Sequence, residues 1–579
     1  MKDFLKLRSN WLRVVFVAAL TLIVVQLFKI QVIKHDEYVA KAETQHVMQN
    51  TIVAKRGEIY VMDGDEPVPI VLNEKVWSVI LDPQVSKSSK DEIEKTLRTE
   101  ASDYIVADFK DVFSDNFTRY YVVARNVPYK VAQKIKDASL PGVWMQGNTK
   151  RVYPEGTMAS GLIGFVNAEG KGQYGVEGAL NEELSGENGV LKTVKDVNNI
   201  PLTIGDDNVK IPAKDGKNVV LSIDRNIQNK AEQILEAKTK EYKVNNGTVI
   251  VMDPKNGEIW AIASTPNYDA ENYGKVEDAK VFQTNATMDA YEPASVCKTF
   301  AMAAAIDMDK MTPDTTYYNT DQTIVDGWPI NNLTKGHTGN ISMQTALSYS
   351  LNTGSTQALR LLGDSETDIT GVGKERLFDY YYNKFWLGKS TGIEIAESSG
   401  IIIPPDSENG TDARYANMTF GQGMNITAMQ IAVAYSAVVN GGEYFKPTVV
   451  RGEIVDGEFK ANEYAAADHE AISAATSKTM RQMLVRARSL FSSAKPYDKG
   501  LYVGGKTGTA QAIRDGAYVM DETIATYAGF GAASENDDPE YVIVTKLWED
   551  GKAMDGAAHA KPIFDELSSY MIDYLRMTK

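Results

Sequence analysis

The sequence is poor in the residues that build cross-links and metal sites. It has one cysteine, Cys297, in 579 residues. That excludes an intrachain disulfide framework and a Cys-based zinc site. Its five histidines are scattered, and the N-terminal half holds no H-E-x-x-H helix and no phosphate loop. Positive charge is also short: 61 Lys and Arg face 77 Asp and Glu, for a net charge of −16. A broad nucleic-acid-binding surface is excluded, though a local basic patch is not. Long apolar runs are lacking beyond the first 35 residues. With 43% apolar and 24% charged residues, the chain is neither disordered, collagen-like nor a polytopic membrane protein. Its length suggests three or four compact units at most.

The one long apolar run decides the compartment. Residues 14–28 read VVFVAALTLIVVQLF, and Leu12 and Ile33 extend the run. A stretch of roughly 20 apolar residues spans a bilayer, with flanking Arg and Lys reaching the interface. Lys2, Lys6, Arg8 and Arg13 precede it, which places the N-terminus in the cytoplasm and the rest outside. Lys29, Lys34 and Lys41 follow, so the asymmetry is modest. Gln26-Leu27-Phe28-Lys29 is not a small-residue cleavage site, so an uncleaved anchor is expected. The expected order is a cytoplasmic tail (1–11), a transmembrane anchor (12–33), a mixed α/β module (34–210) and a second domain (216–579).

In the first module, 76–81 and 120–123 read as short strands and 130–138 as a helix. Residues 203–217 are polar and turn-rich, a linker pattern. From Val219 the texture changes. VVLSID is a strand, followed by a helix over 227–237. TVIVM (248–252) and EIWAIA (258–263) flank a turn and predict a β-hairpin. Residues 295–307 are apolar nearly all round, a buried helix. YVIVTKL (541–547) is a strand, and 563–575 show helical apolar spacing. The Ala-rich stretch around 464–475 reads as a short surface element. Strands interleaved with helices predict a layered α/β-type domain.

Three short motifs carry candidate chemistry. Ser295-Val296-Cys297-Lys298 is S-x-x-K at a helix start behind Pro293. The i, i+3 spacing puts Lys298 on the face of Ser295, one turn on. An apolar helix desolvates that lysine, which lowers its pKa and lets the neutral amine serve as base for the hydroxyl. The same pattern occurs at Ser492-Ser493-Ala494-Lys495, in a polar stretch; helix context favours the first. Ser350-Leu351-Asn352 is S-x-N: a hydroxyl to relay a proton and an amide to hold a carbonyl. A helix end rich in capping residues would look the same. Gly504-Gly505-Lys506-Thr507-Gly508-Thr509 offers close backbone approach, a cation and hydroxyls. Gly500-x4-Gly505-Lys506-Thr507 also satisfies a P-loop pattern. No buried strand precedes Gly500, and Gly508 is poor in a first helical turn, so that reading is set aside.

S-x-x-K, S-x-N and K-T-G in this order resemble the penicillin-binding protein and serine β-lactamase superfamily. Further boxes narrow the resemblance to class B penicillin-binding proteins. They are Arg56-Gly57-Glu58-Ile59, Arg151-Val-Tyr-Pro-Glu-Gly156, Gly175-Val176-Glu177-Gly178, the Asp253-Pro254 hairpin with Gly257 and Ala261, and Phe420-Gly421-Gln-Gly423 with Thr427 and Gln430. The ordered set runs from about residue 10 to about 570. The resemblance implies an α+β transpeptidase domain with a central antiparallel sheet and helices on both faces. An N-terminal mixed α/β pedestal and one transmembrane helix complete it. It implies a peptidoglycan D,D-transpeptidase with Ser295 as nucleophile, Lys298 as base, and Ser350 and Asn352 shuttling a proton and positioning the peptide. Lys506 with Thr507 or Thr509, beside Gly508, would hold the donor carboxylate. Backbone N–H groups of Ser295 and Thr509 would form the oxyanion hole. No cofactor or metal is implied. Implied partners are stem peptides, β-lactam antibiotics, an FtsW-like membrane glycosyltransferase and other divisome proteins.

The chain departs from the family at several points. Ala294 stands where relatives usually have Gly, and Cys297 where they have a bulky residue. Tyr60-Val61-Met62-Asp63-Gly64 replaces D-R-x-G, and 285–289 lacks an Arg. The context Thr526-Tyr-Ala-Gly-Phe530 and Gln422 favours the division type (FtsI-like) over the elongation type. A β-lactamase or a non-catalytic scaffold on the same fold are the other readings.

Overall fold

The computed structural model describes residues 8–35, 47–114, 118–194, 209–490, 500–514 and 517–577. The second S-x-x-K at 492–495, Lys2, Lys6, Lys41 and residues 203–208 of the expected linker lie outside the described residues. Two compact units emerge: Met1–Arg56 with Ser185–Gly216, and Gly57–Leu184 with Lys217–Lys579.

In the first unit, Arg8–Phe28 is an α-helix that continues as a π-turn over Lys29–Ile33. Its apolar side chains are exposed all round, from Trp11 to Ile33. It is the one helix among the described residues long and apolar enough to cross a membrane. A three-stranded antiparallel sheet joins Val47–Ile52, Gly189–Val194 and Val209–Ile211. The last strand falls inside the expected linker. Its three residues give too short a run for alternation to register in the sequence.

Among the described residues the second unit has two large sheets and four two-stranded ones. One is seven-stranded and draws on residues far apart in sequence. Its path is Glu458–Ala461, Val450–Val455, Asn218–Asp224, Ile59–Asp63, Glu66–Leu81 and Tyr121–Val127, and Val143–Val152 also pairs with Glu66–Leu81. The Asn218–Asp224 and Ile59–Asp63 strands run parallel, so the R-G-x-I segment is stitched to the start of the second domain. Nearby, the buried Arg151 pairs with the fully buried Glu177 at 2.7 Å. Two boxes of the sequence are thus the two halves of one ion pair. Expected strand 76–81 is the end of a 16-residue strand, and 130–138 is the helix Tyr129–Asp137.

The other sheet is five-stranded and antiparallel. Its order is Ile259–Thr265, Asn246–Met252, Tyr541–Trp548, Ala517–Ala532, Tyr502–Arg514. Side chains alternate between its faces. Ile250, Met252, Ile262, Ala528, Phe530, Val542 and Val544 meet the helices Lys298–Asp307, Asn352–Leu362 and Ala428–Val439. Val249, Val251, Ala261, Ala263, Tyr527, Tyr541 and Ile543 meet Arg225–Tyr242 and Lys561–Tyr574. The sheet is central, with helices on both faces. Every residue of Ala428–Val439 is buried, and Thr427 caps it by accepting the Gln430 N–H at 3.2 Å. The Ala-rich stretch is only partly a surface element. Ala471 and Ile472 are buried, and the helix Ala474–Ser489 follows.

Candidate active site

The nucleophile candidate sits on a short 3-10 turn. Ala294–Cys297 forms that turn, which passes directly into the helix Lys298–Asp307. Ser295 is half-buried, with no hydrogen-bond partner for its hydroxyl among the described residues. Ala294 adopts a left-handed conformation at φ +52. Such a φ suits glycine and costs an alanine roughly 1–2 kcal/mol. The turn holds it there: the Ala294 N–H donates to Gly421 O at 3.2 Å, and a Cβ on Gly421 would lie 2.2 Å from Ala294 O. The first glycine of the F-G-x-G box is therefore the floor beneath the nucleophile turn. Cys297 is fully buried, and burial pushes its thiol pKa up. Its carbonyl accepts the Tyr381 hydroxyl at 3.3 Å.

Lys298 is completely buried on the first turn of its helix. Its Nζ donates to Ser350 O at 2.6 Å and to Ser350 Oγ at 3.2 Å. Burial, and then the nearby Lys506 charge, hold its pKa well below that of an ordinary lysine. Ser350 lies just past the helix Met343–Ser348 at φ +57. That left-handed step turns its hydroxyl between two amines. The second is Lys506, whose Nζ donates to Ser350 Oγ at 3.0 Å, to Thr507 O at 3.1 Å and to Thr507 Oγ1 at 3.3 Å. Burial lowers the Lys506 pKa to about 7. Two buried amines share one hydroxyl, and no carboxylate among the described residues neutralises either, so desolvation and mutual repulsion favour the neutral form.

The K-T-G strand is the edge of the five-stranded sheet, so its outer backbone groups remain unpaired within the sheet. A Cβ on Gly508 would lie 2.7 Å from Pro293 O and 3.1 Å from Val296 Cγ2. Only glycine lets this strand approach the nucleophile turn. Thr507 is half-exposed, its hydroxyl beside Lys506. The Thr509 hydroxyl is engaged elsewhere: it accepts the Gly556 N–H at 3.0 Å and donates to Asp555 Oδ2 at 3.3 Å. Its backbone, not its hydroxyl, is what it can offer a ligand. Asn352 opens the helix Asn352–Leu362, and its side-chain amide donates to Asn331 O at 2.9 Å. It lines a cleft of about 640 Å³ with Glu292, Arg414, Asn417 and Tyr518. The structure thus joins Lys298, Ser350, Lys506 and Thr507 in one hydrogen-bonded cluster, and turns Asn352 to the adjoining cleft.

Sequence reasoning missed a brace behind the nucleophile turn. Lys546 Nζ is buried, 2.5 Å from Asp289 Oδ2, 3.9 Å from the Tyr291 ring centre and 4.3 Å from that of Trp548. The Tyr291 hydroxyl bonds Thr526 Oγ1 at 2.9 Å. Thr526 stands between Gly508 and Lys546 in the sheet register. The clue was available as a lone lysine inside the apolar strand YVIVTKLW.

The penicillin binding protein transpeptidase domain matches residues 247–569, and the penicillin-binding protein dimerisation domain matches 51–221. The chain belongs to the penicillin-binding protein transpeptidase family. It is 31% identical over 425 residues to stage V sporulation protein D of Bacillus subtilis, covering 72% of this chain and 63% of that one. It is 24% identical over 566 residues to the peptidoglycan D,D-transpeptidase FtsI of Buchnera aphidicola, covering 96% of this chain and 93% of the relative. Penicillin binding protein 2X from Streptococcus thermophilus shares the fold with a TM-score of 0.69 at 23% identity, over 90% of this chain and 80% of that one.

Proposed function

We propose that the transpeptidase domain of this chain cross-links peptidoglycan stem peptides through an acyl-enzyme on Ser295, at the division septum, outside a membrane that the N-terminal helix spans. Neutral Lys298 takes the Ser295 proton as Oγ attacks the penultimate D-Ala carbonyl of a donor peptide. The backbone N–H groups of Ser295 and Thr509 receive the oxyanion; one such donor is worth about 3–4 kcal/mol of barrier. The Ser350 hydroxyl, between the two amines, passes a proton to the leaving D-Ala amine as the C–N bond breaks. An acceptor-strand amine then attacks the ester, returns the proton through the same groups and frees Ser295. Lys506 and Thr507 hold the donor carboxylate, and Asn352 positions the peptide.

The single observation that carries this reading is the Ser350 hydroxyl within 3.2 Å of buried Lys298 and 3.0 Å of buried Lys506. A base with a lowered pKa next to the hydroxyl nucleophile, and a second hydroxyl to relay the proton, need no histidine. The septal assignment rests on the sequence contexts at 526–530 and 422. Glycan polymerisation then falls to an FtsW-like partner in the membrane.

The test is release of D-Ala and formation of cross-links from lipid-linked substrate with a polymerase partner, in wild type and Lys298→Met. We expect a loss of 10²–10⁴-fold in the variant, the range of a general base. Equal activity in both proteins would contradict the assignment.

A further inference from the structure

The cleft beside Asn352 contains two opposite charges that do not meet. Glu292, three residues before Ser295, is only 4% exposed. Its Oε1 accepts the Gly423 N–H at 2.6 Å and the Tyr518 hydroxyl at 3.1 Å. Its Oε2 is buried with no hydrogen-bond partner among the described residues. A carboxylate oxygen in that position lacks the donors it would have in water, and it gains most from a ligand that brings them. Burial accordingly raises the Glu292 pKa, and the hydrogen bonds from Gly423 and Tyr518, then the Arg414 charge, partly offset the rise.

Arg414 lines the same cleft. Its Nη1 donates to Gly423 O at 3.0 Å, and it forms no ion pair among the described residues. The guanidinium therefore keeps donors for a carboxylate, the group its planar fork fits best. Gly423 ties the two together, its N–H on Glu292 and its carbonyl on Arg414. At φ +73 its backbone takes a conformation that other residues rarely hold. Neutral amides of Asn352, Asn417 and Gln422 share the wall. Glu292 and Arg414 sense one another without closing a salt bridge. A ligand with a cation and an anion on neighbouring atoms satisfies both.

We propose that this cleft is a specificity subsite for a stem-peptide side chain that ends in an amino-acid head, an ammonium and a carboxylate on one carbon. Glu292 receives the ammonium and Arg414 the carboxylate. This rests on the transpeptidase reading above and deepens it: Asn352 joins the reacting centre to the cleft, so the side chain of the donor peptide reaches it. The Tyr518 hydroxyl, on a side chain 45% exposed, is the donor that an arriving ammonium shares or displaces. A lysine-type side chain supplies only the ammonium and leaves Arg414 unmet. A carboxamide in place of the carboxylate likewise removes the charge that Arg414 takes. Sites built on paired polar groups reject ligands that leave one of them empty.

The experiment measures D-Ala release by the full-length protein in detergent from three pentapeptides that differ at the third residue. These carry diaminopimelate, its side-chain carboxamide, or lysine. The inference expects kcat/KM for the diaminopimelate peptide at least tenfold above the other two, carried by KM. Arg414→Gln should bring the three within twofold, and Arg414→Lys should restore part of the preference. Glu292→Gln should raise KM for the diaminopimelate and lysine peptides alike. Equal use of the three peptides by the wild type overturns the inference, as does a preference that survives Arg414→Gln. Loss of release from all three, with no penicillin adduct on Ser295, counts against the transpeptidase reading instead. Calorimetry of the same peptides on Ser295→Ala then decides the subsite by whether it binds the diaminopimelate peptide tenfold more tightly.

Discussion

At the scale of the residue, the site stores instability in order to hold reactive groups. Lys506 is buried with its pKa lowered to about 7, while an unfolded chain leaves it as an ordinary lysine. Between those two values the unfolded state binds the extra proton, so the destabilisation from this group is complete below about pH 7 and fades as pH rises toward 10. Lys506→Met should therefore melt higher than wild type at pH 6 by a few degrees. The advantage should shrink by pH 9, and acylation should be lost at both. A variant that melts lower at pH 6 would count against the uncompensated charge. Ala294 carries strain of a different kind, in its backbone at φ +52. The sequence flagged the position, because glycine is usual there. The conformation that makes glycine usual belongs to the turn and is visible only in the structure.

At the scale of the element, close approach decides function and burial decides stability. The K-T-G strand reaches the nucleophile turn only because Gly508 has no side chain. Gly508→Ala would press a Cβ against Pro293 O, a backbone atom that cannot swing away. We expect a 10–100-fold slower acylation rate, in line with the cost of an ångström of misplacement, with the fold retained by circular dichroism. The Arg151–Glu177 pair anchors a strand of the seven-stranded sheet. Glu177→Ala would leave a buried guanidinium without its anion and cost about 3–5 kcal/mol, read as a lower midpoint in urea unfolding.

The strongly periodic elements were legible from sequence. The 246–265 hairpin, the buried helix at Lys298, the strand at 541 and the closing helix all stand where their patterns place them. The misses have physical causes. Val209–Ile211 is too short to show alternation. The 16-residue strand ending at Leu81 carries Pro67, Pro69 and a polar middle that hide its length. Glu292, Lys546 and Arg414 matter through partners 130 or more residues away or through a shared cleft, and no local spacing records that. By contrast Ser295, Lys298, Ser350 and Lys506 lie in three short motifs that gain their meaning from their order, and the structure supplies the distances that join Lys298, Ser350 and Lys506 in one cluster.

At the scale of the whole molecule, an acidic chain with one helix, among the described residues, long and apolar enough to cross a membrane carries a transpeptidase domain whose candidate cluster contains hydroxyls, amines and backbone. The account stands or falls on which serine becomes acylated. The decisive measurement is the mass of the intact protein after brief exposure to a penicillin, followed by peptide mapping, in wild type, Ser295→Ala and Ser492→Ala. The account predicts one adduct per chain, persistent over minutes, on the peptide that contains Ser295. It should be retained in Ser492→Ala and absent from Ser295→Ala. An adduct that survives Ser295→Ala, or one that hydrolyses within seconds, would contradict it.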